Sequence, residues 1–142
     1  MVLDLTEPSA ISASLGEVAA ATPWVALLVL FGSAASGRLR ADSDVDVGFL
    51  GRVPEVEAEA DLLEALERRV GRDVHLTDLR LASELLRIEV VRTGIPAFER
   101  TGGGWTTFAA ESMSRWFDIE PLVRMCAEAV RRRAIEGGVH CG

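Results

Sequence analysis

The chain has 142 residues, of which 49% are apolar and 26% are charged, and its formal net charge is −7. This size and composition are typical of a single globular domain, while the negative charge argues against direct binding to a nucleic-acid backbone. The longest apolar run, Trp24–Phe31, is far shorter than the roughly 20 residues that span a bilayer. A signal peptide has basic residues before its apolar segment, and no basic residue precedes this run. We therefore expect a cytoplasmic protein without a membrane partner.

Hydrophobic periodicity and turn residues predict alternating helices and strands. In chain order, the predicted elements begin with a leader and helix at Leu3–Ala21, a strand at Val25–Phe31, a turn at Gly32–Ala41 with room for one helical turn after Ser33, and a strand at Asp44–Leu50. They continue with a helix at Glu55–Val70, a strand at Asp73–Leu79, a helix at Ala82–Thr93, a short strand or extended arm at Ile95–Glu99, and two helices at about Thr107–Phe117 and Glu120–Glu136. The expected buried stripe of the predicted helix at Glu55–Val70 consists of Val56, Leu62, Leu63, Leu66 and Val70. This order indicates an α+β protein.

The run Thr101–Gly104 is the candidate for a flexible linker. We therefore expect residues 1–100 to form the main domain. Residues 101–142 are expected to form a C-terminal helical extension that packs on this domain, so that the whole chain is one compact unit.

A Gly-Ser turn follows the first predicted strand directly, at Gly32 and Ser33. Glycine allows a phosphate to approach the backbone N–H groups closely, and the serine hydroxyl adds a further hydrogen-bonding group. The same dipeptide is common in ordinary turns. Its position relative to the next motif is therefore what favours a phosphate site.

Two carboxylates open the second predicted strand, at Asp44 and Asp46. Residues i and i+2 of a strand point to one face, so these side chains can converge on a divalent cation such as Mg²⁺. The alternative is that Asp44 belongs to a polar turn and Asp46 is a solvent-facing strand residue. A phosphate-binding turn followed by a metal-binding pair is what nucleotidyl transfer requires.

Two groups of arginines have alternative interpretations. Arg38 and Arg40 lie between the two motifs, where they either neutralise phosphate charge or are solvated loop residues. The run Arg131–Arg133 closes the last predicted helix, where it either complements the helix dipole or forms a contact surface for an acidic partner.

Gly32-Ser33, ten spacer residues and Asp44-Val45-Asp46 together resemble the signature of the DNA polymerase β-like nucleotidyltransferase superfamily, and the short chain resembles its minimal (MNT) branch. The run Asp78–Glu99 and the segment Trp116–Asp118 are similar to the MntA-like antitoxins of HEPN/MNT toxin–antitoxin pairs. This resemblance covers roughly residues 24–130.

The resemblance implies a nucleotidyltransferase fold, with a small mixed sheet flanked by helices, and a reaction that uses ATP and Mg²⁺ to place AMP on a tyrosine of a HEPN-type ribonuclease toxin. By position, Gly32, Ser33 and Arg38 would bind the nucleotide, and Asp44 and Asp46 would hold the metal. The chain contains no tyrosine, so the acceptor belongs to the partner. We expect a dimer or a hetero-oligomer with the toxin. A neighbouring reading frame that encodes a small helical protein with an Arg-x4–6-His motif would identify this partner.

The chain departs from the family at a third carboxylate, which helps to hold the catalytic metal and accepts the proton of the attacking hydroxyl. The residue at that position here is His75. A neutral imidazole can accept a proton but is a poor ligand for Mg²⁺. Asp73 shares a strand face with His75 and is a possible substitute, whereas Asp78 falls on the other face.

Three functions therefore stay open at this point. The first is an adenylyltransferase antitoxin with Asp44, Asp46 and His75 as catalytic residues. The second is a catalytically impaired antitoxin of the same fold that acts by binding its toxin. The third is a small-molecule nucleotidyltransferase.

Overall fold

The computed structural model describes residues 6–137. Its elements are, in chain order, α1 (Pro8–Ala20), β1 (Val25–Phe31), α2 (Gly32–Ala35), β2 (Val45–Gly51), α3 (Val56–Val70), β3 (Val74–Asp78), α4 (Glu84–Thr93), β4 (Ile95–Glu99) and α5 (Gly104–Glu136). The predicted order of helices and strands is confirmed as far as β4, and the predicted turn at 32–41 begins with the short helix α2. The first part of the expected leader and the last residues of the chain lie outside the described residues.

The four strands form one mixed sheet in the order β3-β2-β1-β4. β1 is antiparallel to both of its neighbours, and β2 is parallel to β3. β1 lies between β2 and β4 and belongs to both antiparallel pairs. Six of its seven residues are buried. A continuous apolar run is what a strand covered on both faces requires, so the fold class expected from the sequence, with its mixed sheet, is confirmed.

Helices cover both faces of the sheet. One face packs against α1 and α3, in a core that includes Leu15, Leu30 and Leu66. The other face packs against α4 and the start of α5, in a core that includes Phe31, Val90 and Phe108. We call this second side the α4/α5 face. Cross-strand partners point to the same side of a sheet, and Phe31 is paired with Asp46, so Asp46 lies on the α4/α5 face.

The predicted buried stripe of α3 is wrong at its first position. Val56 is 90% exposed, whereas Ala58, Leu62, Leu66 and Val70 are buried. Val56 is the first residue of α3 and follows directly after its N-cap residue Glu55. It therefore precedes the turns of the helix that reach the sheet, and the small side chain of Ala58 supplies the first contact instead.

The two predicted C-terminal helices are a single helix of 33 residues, α5, with Pro121 in its interior. The prediction of a break was wrong. Proline removes one backbone N–H, which would have bonded to the carbonyl of Phe117 four residues earlier. Both residues are exposed, so water can bond to that carbonyl and the helix continues. Within residues 6–137, no helix combines the length and the apolar character needed to cross a membrane.

Candidate functional site

The Gly-Ser turn and the Asp-x-Asp motif meet at the end of β1. Gly32 adopts a positive φ of 70°, and a Cβ atom at this position would lie 2.5 Å from the Oδ2 atom of Asp46. A contact this short forces an atom to move, so only glycine allows the Asp46 carboxylate to lie against the turn in this position. Gly32 and Asp46 lie fourteen positions apart in the sequence, on either side of a loop, and the β1/β2 pairing of Phe31 with Asp46 brings them together.

The third side chain at this place is His75 of β3. The parallel register of β2 and β3 pairs Asp46 with His75, and the Nδ1 atom of His75 lies 3.4 Å from Oδ1 of Asp46. The Asp46 side chain is 31% exposed and that of His75 is 69% exposed. When Nδ1 carries the proton and donates to the carboxylate, Nε2 of the open imidazole is left as a proton acceptor.

Asp44 is exposed and directly precedes β2. The backbone N–H of Val45 donates to the carbonyl of Asp73 at 2.9 Å, which fixes the start of β2 against the chain that enters β3. Because alternate residues of extended chain point to one side, we expect the carboxylate of Asp44 on the same side as that of Asp46. We call the place formed by Gly32, Asp44, Asp46 and His75 the notch.

The residues of the notch fit a magnesium ion that arrives with a nucleotide. Within residues 6–137, no group of three or more histidine, cysteine, aspartate or glutamate side chains is arranged to hold a metal. Mg²⁺ in nucleotide sites is usually held by one or two carboxylates together with substrate phosphates. Two aspartates are therefore an adequate protein contribution, provided that phosphate oxygens complete the coordination.

The loop between the two motifs folds back on itself. The carbonyl of Ser33 accepts hydrogen bonds from the backbone N–H of Arg38 at 2.9 Å and from Oγ of Ser36 at 3.1 Å. Ser33 lies half-buried in α2, whereas Arg38 and Arg40 are exposed. The carbonyl of Arg40 accepts from the guanidinium of Arg72. Arg38 thus closes the turn with its backbone, and its charged side chain remains accessible to a ligand.

The two other aspartates considered as a third carboxylate differ in availability. Asp78 has a side chain that is nine-tenths buried and forms a salt bridge with Arg80 at 2.9 Å. Hydrogen bonding and the charge of Asp78 raise the pKa of Arg80 above its ordinary value. The carboxylate of Asp78 is therefore occupied by Arg80 and is not available as a third carboxylate. Asp73 is exposed and lies two residues before His75, so its carboxylate is not held in a comparable pair among the described residues.

The sequence did not predict the contacts of Leu79 and Arg87 on the same side of the sheet as the notch. Leu79 packs over Gly48 of β2, where an added Cβ would lie 2.7 Å from its Cδ2 atom. The carbonyl of Leu79 accepts a hydrogen bond from Nη1 of Arg87 at 2.9 Å, and the Arg87 guanidinium lies 4.5 Å from the ring centre of Phe108. Arg87 therefore joins the end of β3 to α5. A sequence signal was available, because Arg87 lies three residues before the buried Val90 on the same helix face.

Burial lowers the pKa of the Arg87 guanidinium, and the neighbouring charge of Arg115 lowers it further. Arg87 is 4% exposed. Its Nη1 hydrogen bond to Leu79 and its contact with the Phe108 ring offset part of the loss of water, while its buried Nε has no hydrogen-bond partner among the described residues.

Comparisons with known proteins identify the family and the fold. Residues 14–102 match the family model described as "Polymerase beta, Nucleotidyltransferase". No curated protein matches the chain.

Among solved structures, the chain is similar to a chain from a toxin–antitoxin complex with AMP-PNP, with 25% identity, a TM-score of 0.72, and coverage of 84% of this chain and 98% of that one. It is also similar in fold to a chain from the tri-AMPylated Shewanella oneidensis HEPN toxin in complex with its MNT antitoxin, with 23% identity, a TM-score of 0.68, and coverage of 87% and 98%. A chain from a MntA–HepT toxin–antitoxin complex matches with 23% identity, a TM-score of 0.67, and coverage of 87% and 98%.

Proposed function

Because the chain belongs to the polymerase beta nucleotidyltransferase family, we propose that it is an antitoxin that inactivates a HEPN-type toxin by transferring AMP from ATP to a tyrosine of that toxin. The observation that carries this proposal is the position of the Asp46 carboxylate, which lies against Gly32 and beside His75. It joins the phosphate-binding turn, a metal-binding carboxylate and a proton acceptor in one place.

The similar structures support the choice of partner and nucleotide. They are toxin–antitoxin complexes, one with the ATP analogue AMP-PNP and one with an AMPylated HEPN toxin. The chain covers 98% of the neighbour crystallised with AMP-PNP, so the comparison extends to that chain's whole length. The present chain contains no tyrosine, so in the proposed reaction the acceptor tyrosine is one of the partner's.

In the proposed reaction, the backbone at Gly32 and Ser33 holds the triphosphate of ATP, and Arg38 adds a positive charge beside it. Asp44 and Asp46 would hold Mg²⁺, which when bound would neutralise phosphate charge and stabilise the departing pyrophosphate.

The toxin tyrosine oxygen bonds to the α-phosphorus while the bond from that phosphorus to the oxygen bridging it to the β-phosphorus breaks. His75 accepts the proton of the tyrosine hydroxyl at Nε2, and Asp46 orients the imidazole through Nδ1. AMP then remains on the tyrosine and pyrophosphate leaves.

The test is AMP transfer to the HEPN-type protein encoded by the adjacent reading frame. We expect that incubation with ATP and Mg²⁺ raises the intact mass of the toxin by one or more AMP moieties, and that Asp44→Asn combined with Asp46→Asn abolishes the increase. Asp42→Asn is the matched control, because Asp42 is an exposed carboxylate of the same loop outside the notch. A toxin whose mass stays unchanged with the wild-type protein would contradict the proposal.

A second candidate function is neutralisation by binding alone. It is favoured by the composition of the notch, where no third carboxylate joins Asp44 and Asp46 among the described residues and His75 lies beside Asp46 instead. In this case the wild-type protein protects cells from the toxin without modifying it. The double asparagine variant then protects equally well, whereas the adenylyltransferase proposal requires that it lose protection.

A further inference from the structure

The second half of α5 extends away from the rest of the fold. Its two buried residues, Phe108 and Ser112, lie in the first half, whereas every residue from 121 to 137 is exposed. An isolated helical segment of this length is marginally stable in water, because helices in proteins depend mainly on the packing of an apolar face. The segment therefore needs a partner to cover it.

An apolar stripe runs along this segment. Its residues follow Phe108 and Ser112 at intervals of three and four positions, so they lie on the same side of the helix. We define the α5 stripe as Ile119, Leu122, Val123, Cys126 and Val130. Leu122 is 63% exposed and Val130 is 67% exposed. This spacing forms a straight seam on one side of a helix and is the pattern with which one helix packs on another. The sheet core covers the first half of the seam, and none of the residues 6–137 covers the second.

The charge around the stripe indicates the character of its partner. Residues 121–136 contain four arginines and two glutamates, whereas the whole chain has a net charge of −7. Arg124 pairs with Glu120 in the same helix, but among the described residues Arg131, Arg132 and Arg133 form no ion pair. These unpaired cations favour a partner with carboxylates.

We propose that the α5 stripe is the docking surface for a helix of the toxin, one that presents an apolar face bordered by carboxylates. This inference rests on the proposed function for the identity of the partner. A second copy of this chain aligned in parallel would place Arg131–Arg133 against the same arginines, which disfavours that arrangement. The similar chains were solved as parts of toxin–antitoxin complexes, which favours the toxin.

The test compares a double substitution within the stripe with a double substitution outside it on the same helix. Val123→Glu with Val130→Glu introduces charges into the stripe, and Met125→Glu with Ile135→Glu introduces the same charges on other sides of the helix, where Met125 and Ile135 are 67% and 78% exposed. Binding to the purified toxin is measured by calorimetry without ATP. We expect the stripe variant to bind at least about 100-fold more weakly, since buried anchor residues dominate interfaces, and the control to change by less than about threefold.

The readouts separate this inference from the proposed function. Asp44→Asn with Asp46→Asn removes AMP transfer and leaves the toxin affinity unchanged if the stripe is the docking surface. A stripe variant that binds the toxin as tightly as wild type overturns the docking proposal even where AMP transfer is observed. A stripe variant that binds normally but converts a dimer of the free protein into a monomer, measured by light scattering, overturns it in favour of a second copy.

Cys126 provides a measurement that needs no change in the stripe. Its thiol is exposed and free, so in a Cys141→Ser background iodoacetamide reacts at this one position. We expect bound toxin to slow the alkylation of Cys126 at least about tenfold, because a docked helix excludes the reagent. An alkylation rate that is unchanged in the saturated complex overturns the proposal.

Discussion

The substitution Gly32→Ala tests whether the chemistry of the notch depends on the close approach of Asp46. In the wild-type protein a Cβ at residue 32 would lie 2.5 Å from Oδ2 of Asp46 and 3.3 Å from its Cγ. The backbone cannot easily move away, because Phe31 is paired with Asp46 in the sheet. The carboxylate must therefore rotate, which separates it from Nδ1 of His75 and from the phosphates held at the turn.

Two costs follow from this geometry. An alanine at a φ of 70° is destabilised by about 1–2 kcal/mol relative to glycine, and this cost is independent of Asp46. The displaced carboxylate no longer orients a cation or the imidazole, and the loss of one group positioned for the transition state lowers the rate by about 100- to 1,000-fold. We therefore expect a modest loss of stability and a severe loss of AMP transfer.

Gly37→Ala is the matched control. Gly37 has a φ of 75°, but an added Cβ would meet no atom within 4 Å, so the variant carries the same backbone strain without touching Asp46. Urea unfolding measures the stability of both variants, and incorporation of labelled AMP into the toxin measures their activity. If Gly32→Ala and Gly37→Ala lose stability equally and retain equal transfer rates, the contact between Gly32 and Asp46 has no role in the reaction.

Two further predictions concern the base and the support of α5. His75→Gln removes the proton acceptor, so AMP transfer should fall by about 100-fold while the toxin affinity measured by calorimetry is unchanged, and a full-rate variant would exclude His75 from catalysis. Phe108→Ala removes a buried ring that contacts the Arg87 guanidinium, so the free energy of unfolding in urea should fall by about 3–5 kcal/mol. Phe117→Ala on the exposed side of α5 should change it by less than about 0.5 kcal/mol, and equal losses for the two variants would contradict the packing described here.

The sequence predicted the strands well because each carries an unambiguous local pattern. β1 is a continuous apolar run bounded by Pro23 and Gly32, and a run of this kind fits a strand buried on both faces. The proximity of Asp46 to Gly32 was inferred from motif spacing alone. Their contact depends on the antiparallel register of β1 and β2, which a local pattern does not specify.

The prediction failed where tertiary context overrides a local rule. A second C-terminal helix was predicted from about Glu120, because proline at position 121 fits the first turn of a helix. Instead α5 continues through Pro121, since the freed carbonyl lies at the surface. Arg87 was not predicted in the core, since arginine is rarely buried. Its position depends on two partners that come together only in the fold, the Leu79 carbonyl and the Phe108 ring.

The notch and the α5 stripe are connected through one face of the sheet. Phe31, whose cross-strand partner is Asp46, shares a core with Phe108 at the start of α5. A toxin held on the stripe is thus tethered to α5, the helix that packs on the same face of the sheet as Asp46. Tethering raises the local concentration of the acceptor without changing the reacting groups. The stripe variant should therefore have a higher KM for the toxin and a kcat near the wild-type value, whereas Gly32→Ala should have a lower kcat. A stripe variant with a reduced kcat would mean that α5 also positions the acceptor tyrosine.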